Sequence, residues 1–140
     1  MTVTSGLGNY LENAVLNWFG GTTYPAAPAT VYLALFTTAP TNATDGGAVE
    51  VSGTSYVRKA VTANSTNFPA ASGAAPATSV LGANQVFATP GGSWGTVVGW
   101  ALYDASTAGH MLAYGAFSGV AVGSGDTVEF LSGNLTLSVS

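Results

Sequence analysis

The charged side chains and the one imidazole that could do acid–base or metal chemistry can all be named. They are Glu12, Asp45, Glu50, Asp104, Asp126, Glu129, His110, Arg58 and Lys59, and there is no cysteine among 140 residues. A glycoside hydrolase needs two carboxylates roughly 5–9.5 Å apart across a cleft. Asp104 closes one apolar run and Glu129 lies inside another, so this is the one pair to consider. The structural reading of each is stronger. Asp at the start of a turn caps that turn, and Glu129 is expected to face solvent or to pair with Arg58. Asp126 follows Ser124-Gly125 and reads as a turn residue on the same grounds. A Ser-His-Asp relay would have to use His110 with Asp104 or Asp126, and the Gly-x-Ser-x-Gly elbow is missing. A zinc site needs three or four ligands, and one imidazole without a thiol does not supply them. Asp45 with Glu50 is too thin a set for calcium. Gly91-Gly92 and the stretch from Gly119 to Gly125 lack the Lys of a phosphate loop and read as turns. The expectation is no catalytic residue, no cofactor-binding residue, no metal ligand and no enzyme.

The elements that would carry these residues are one helix and a series of strands. Leu7, Tyr10, Leu11, Ala14, Val15 and Trp18 recur at three- and four-residue steps and make one apolar stripe. The spacing of Asn9 and Glu12 is that of a capping box, and Gly20-Gly21 suits a left-handed C-terminus. A helix over about 9–19 is predicted, packing Leu7, Leu11 and Trp18 on a sheet. Pro25 and Pro28 prevent its continuation. Thr30 to Phe36 is apolar on both alternating faces, as in a strand covered on both sides. Gly95 to Asp104 and Met111 to Phe117 form a predicted hairpin around Ser106-Thr107-Ala108-Gly109. Shorter runs at Tyr56–Val61, Gln85–Ala88 and Thr127–Leu131 are further strands, and Leu135–Val139 alternates as a half-buried strand does. Thr62 to Asn84 is low in complexity and reads as an extended arm or a surface loop. About six or seven short strands behind one helix give a mainly β fold. The expected architecture is a single domain over 1–140, an antiparallel β-sandwich or partly closed, jelly-roll-like barrel with one N-terminal α-helix.

Composition narrows the function class. Charged residues make up 6% of the chain, against about a quarter in an ordinary soluble domain. Two basic residues against six acidic ones do not suit nucleic-acid binding, which needs several phosphate contacts. The longest apolar run, Val31 to Phe36, is far short of the roughly 20 residues of a membrane helix, although mean hydropathy is +0.37. Met1 to Gly6 has neither a basic nor an apolar region, so no signal peptide is expected. A surface this poor in charge suits a protein whose faces are covered by neighbours. Tyr24, Phe68 and Trp94, aromatics on loop-like stretches, and Arg58, an arginine inside a β run, are the candidate partner contacts. The rival reading for the three aromatics is packing within the chain, and Arg58 is expected to pair with a carboxylate.

The order of segments carries a resemblance. "YLENAVLNWFGG", "PATVYLALFTTAPT", "GGAVEVSGTSYVRKAV", "SWGTVVGWALYDASTAGHMLAYGAF" and "VGSGDTVEFLSGNLTLSVS" together resemble a family of small tailed-bacteriophage virion structural proteins, whose members often carry a tail-fibre label. The most specific piece is Glu50-Val51-Ser52-Gly53 with Tyr56 and Arg58; its usual form has Gly before the Tyr, where this chain has Ser55. The resemblance implies a protein of the virion, assembled in the host cytoplasm. The first expectation is a capsid decoration (cement) protein that binds the assembled shell. Its partners would be the major capsid protein and copies of itself, as a symmetric homo-oligomer such as a trimer. The alternative is a tail-fibre or receptor-binding module recognising a host surface glycan.

Overall fold

The computed structural model describes residues 4–42, 48–73 and 76–139. A five-stranded antiparallel sheet is built from β1 (Thr4–Leu7), β2 (Thr30–Phe36), β3 (Lys59–Thr62), β6 (Gly95–Tyr103) and β7 (Met111–Val122), in the order β1-β7-β6-β2-β3. Two short antiparallel ladders accompany it. One joins β4 (Ala77–Val80) to β9 (Thr136–Val139), the other β5 (Gln85–Val86) to β8 (Glu129–Phe130). Among the described residues there is one helix, α1 (Asn9–Phe19), which follows β1. The architecture is the sandwich of the two expected forms, with one N-terminal helix and no closed barrel.

Alternation along the long strands divides the apolar residues between two faces. On one face Leu33, Leu35, Val97, Trp100 and Leu102 meet Leu81, Phe87, Phe130 and Leu135 from the ladder side, making the main core. On the other face Ala34, Phe36, Ala101, Tyr103 and Met111 form a second cluster. The doubly apolar β2 is thus covered on both sides, as its sequence demands. The second cover is not the helix. It comes from the loop after β2, where Ala48 packs on the cluster and Thr37 and Val51 bond back to Val49 and Leu35, and from Arg58 over the Tyr103 ring.

Four local expectations change. The chain before α1 is not helical, because β1 pairs with β7 from Thr4↔Ala116 to Leu7↔Ala113. The N-cap is Gly8 and not Asn9. Its N–H donates to the Leu112 carbonyl, and a Cβ built on it would meet the Met111 carbonyl oxygen at 2.1 Å, so only glycine allows the strand to turn into the helix there. β7 also runs on through Gly119 to Val122, pairing with β6, where the glycines suggest a turn. Finally, Thr62 to Asn84 holds the strand β4, and Phe68 packs against the main core. Within the segment the Gly82 N–H donates to the Asn67 carbonyl and the Ser79 hydroxyl to the Pro69 carbonyl.

Candidate interaction surface

The two basic residues lie in one segment, and Arg58 organises its surroundings. Its Nε donates to Glu50 Oε1 and its Nη2 to Glu50 Oε2, both at 2.8 Å. Nη1 donates to the carbonyls of Ala105 (3.0 Å) and Ala108 (2.8 Å), and the guanidinium carbon sits 3.8 Å from the centre of the Tyr103 ring. This planar, bidentate arrangement is the one for which Arg, not Lys, is suited. Burial pulls the Arg58 pKa down, but the Glu50 hydrogen bonds and charge outweigh it and hold the group above its ordinary value. Glu50 Oε1 also accepts from the Tyr56 hydroxyl at 3.0 Å, and the Tyr56 oxygen accepts from the Leu35 N–H at 2.9 Å. Burial, reinforced by the Glu50 charge, pushes the Tyr56 hydroxyl well above its usual range. Tyr56 in turn packs edge-on against Trp94, whose Nε1 donates to the Thr54 carbonyl. The Cβ missing at Gly53 would fall 2.3 Å from the Trp94 ring. The Glu50–Arg58 piece is therefore a structural clasp that ties β2, the segment before β3 and the β6–β7 loop together.

That loop has its own lock. Asp104 Oδ1 accepts the His110 N–H at 2.7 Å and Oδ2 lies 2.9 Å from His110 Nδ1, so Asp104 caps its turn as its residue type suggests. Burial alone would raise the Asp104 pKa, but the His110 contacts outweigh it and hold the carboxyl below its usual range. The His110 ring stacks on Tyr10 at 4.0 Å and 13°, which fastens the first turn of α1 to the hairpin.

From Val15 onward the helix is exposed. No residue of α1 is buried; Leu16 is 69% exposed, Trp18 57% and Phe19 76%. The predicted packing of Leu7, Leu11 and Trp18 on the sheet is thus corrected: Leu7 belongs to β1, Leu11 is half-buried, and Trp18 lies outside, edge-on to Phe19. Gly20 and Gly21 close the helix through Asn17 and Trp18, and Tyr24 follows, 41% exposed. Glu12, Val15 and Leu16 of α1 line a half-open groove with Ser5, Leu7, Ser138 and Val139.

Of the four sequence-named contact residues, Trp94 is buried, Phe68 is half-buried on the core and Arg58 is engaged in its ion pair. Tyr24 alone of the four is exposed. The carboxylates Asp104 and Glu129 are not brought together. Asp104 lies just beyond the end of β6, whereas Glu129 lines a cleft with Val97 near its start. Seven residue steps run from Val97 to Asp104, roughly 23 Å at about 3.3 Å each. Among the described residues no three His, Asp or Glu side chains gather as metal ligands, and no helix is long and apolar enough to cross a membrane.

Residues 6–138 match the family of the Podophage GP4 fiber I protein gp80. The chain belongs to this family. It is therefore a phage virion structural protein, and the fibre in the family's description favours the tail reading over the capsid decoration expected first. No curated protein matches the chain. The Ser55 departure now has a physical meaning, because Ser55 has φ +69°, the left-handed region in which glycine is unstrained.

Sequence reasoning missed the bare end of α1. The signal was present: Val15, Leu16, Trp18 and Phe19 spread apolar surface over more of the helix circumference than one sheet can cover.

Proposed function

We propose that this protein is a globular module on the fibre side of the phage tail, structural and not catalytic. Its partner is another tail-fibre component or a second copy of itself. The observation that carries this reading is the unburied apolar end of α1 on a chain of the fibre family. Monomeric soluble proteins seldom expose contiguous large apolar side chains without using them, and aromatic residues with Leu are the usual anchors of an interface. The low charge of the chain agrees with faces held against neighbours. The described chain contains one helix of 11 residues, too short for the coiled-coil shaft of a fibre, so the role is that of a module mounted on a shaft. Quantitative mass spectrometry of purified virions tests the proposal. A handful of copies per particle is expected, and hundreds of copies, the stoichiometry of a shell protein, would overturn it.

A further inference from the structure

The start of β6 and the end of β7 form, with the segment around β8, a half-open cleft of about 310 Å³. Leu35 of β2 also lines it, no residue of α1 does, and it shares no lining residue with the groove along the helix. Its apolar part includes Phe117 and Phe130, whose ring centres lie 6.2 Å apart at 79°. Its polar part is Asp126, Thr127, Glu129 and Asn134. Asp126 Oδ2 is held by the Gly123 N–H at 2.6 Å. Its other oxygen, the Glu129 carboxylate, the Thr127 hydroxyl and the Asn134 amide take no hydrogen bond among the described residues. The two cations of the protein, Arg58 and Lys59, lie in another segment and do not line this cleft.

This combination selects its ligand. Aromatic and aliphatic side chains offer an apolar surface for the C–H face of a flat ring. Two carboxylates, an amide and a hydroxyl beside it ask for several O–H donors around that ring, and hydrogen bonds to ionised acceptors are the stronger kind. The same carboxylates repel anions, with no Lys or Arg to compensate. The volume lies at the lower end of the roughly 300–1,000 Å³ of small-molecule sites. We propose that the cleft between Phe117, Phe130, Asp126 and Glu129 binds an uncharged sugar. The proposal rests on the fibre reading for its biological setting, since a module displayed on a tail is where a surface saccharide would be met.

The test is a two-dimensional NMR titration of the purified chain with methyl glucoside, methyl galactoside and N-acetylglucosamine, with glucuronate and butylammonium as controls. At least one neutral sugar is expected to give saturable shifts confined to signals of β7, β8 and residues 123–134, with glucuronate markedly weaker. Glu129→Ala, a change at an exposed side chain, is expected to weaken that affinity about tenfold, the loss of one charge-assisted hydrogen bond. Phe117→Ala is expected to abolish it; should that variant not fold, Glu129→Ala still decides. No saturable shift with any of the three sugars, equal binding of glucuronate, binding of butylammonium as tight as that of the best sugar, or an unchanged affinity in Glu129→Ala would overturn the proposal. Because the titration uses the isolated chain, its outcome is independent of the protein's place on the virion.

Discussion

Ser55 is the residue at which sequence and backbone disagree most directly. It sits at φ +69°, where an L-residue other than glycine carries about 1–2 kcal/mol of strain. Part of that gain is lost because glycine is freer in the unfolded chain. Ser55→Gly is therefore expected to stabilise the protein by about 0.5–1 kcal/mol, read as a higher urea midpoint; a lower midpoint would contradict the assignment. The clasp gives the opposite sign. Glu50→Gln removes the charge facing a guanidinium whose side chain is only 8% exposed and is expected to cost about 2–4 kcal/mol, measured the same way. Asp104 sets a pH dependence. Its carboxyl titrates below the usual range in the folded chain, so it binds fewer protons folded than unfolded. Its contribution is fully present above about pH 4, the unfolded value, and is lost as pH falls through the lower folded value. The protection factor of the His110 amide, its exchange relative to the intrinsic rate at each pH, is expected to fall on acidification through that window, and Asp104→Asn is expected to remove the dependence.

At the scale of elements, the junction of β1 and α1 decides how the helix leaves the sheet. Gly8→Ala places a methyl group against the Met111 carbonyl and is expected to destabilise the fold by about 1–3 kcal/mol through overpacking, seen as a lower thermal midpoint. The bare end of α1 is expected to behave differently. Leu16→Ser with Phe19→Ser removes exposed apolar groups and should change stability by only about 0.5 kcal/mol, while incorporation into virions falls sharply. Unchanged incorporation, measured by mass spectrometry of particles, would show that α1 is not the attachment point. These elements also show what a sequence can convey. β2, β6 and the first half of β7 were readable because their apolar residues run on both faces between Gly- and Pro-rich turns. β1 and β4 were not, since Thr4-Ser5-Gly6-Leu7 and Ala77-Thr78-Ser79-Val80 have little strand preference of their own and are recruited by pairing with β7 and β9. The N-cap moved to Gly8 for the same reason: a contact more than 100 residues away fixes it. Arg58 was expected to find a carboxylate because so few charges exist. The stripe on α1 announced an amphipathic helix, but a stripe does not say whether its own sheet or another molecule covers it.

For the whole molecule the question is where the chain sits in the particle. Family membership makes it part of the virion, and the sandwich held by the clasp and the hairpin lock carries a helix whose apolar end is unburied. The carboxylates Asp104 and Glu129 are held far apart by the length of β6. The most direct measurement is a cryo-electron microscopy map of intact particles, with this domain fitted into the density. The account predicts that the domain fits on the tail, at a fibre, with the Leu16–Phe19 end of α1 against a neighbouring subunit. Density for it repeated over the capsid lattice, with the fibres empty of it, would contradict the account.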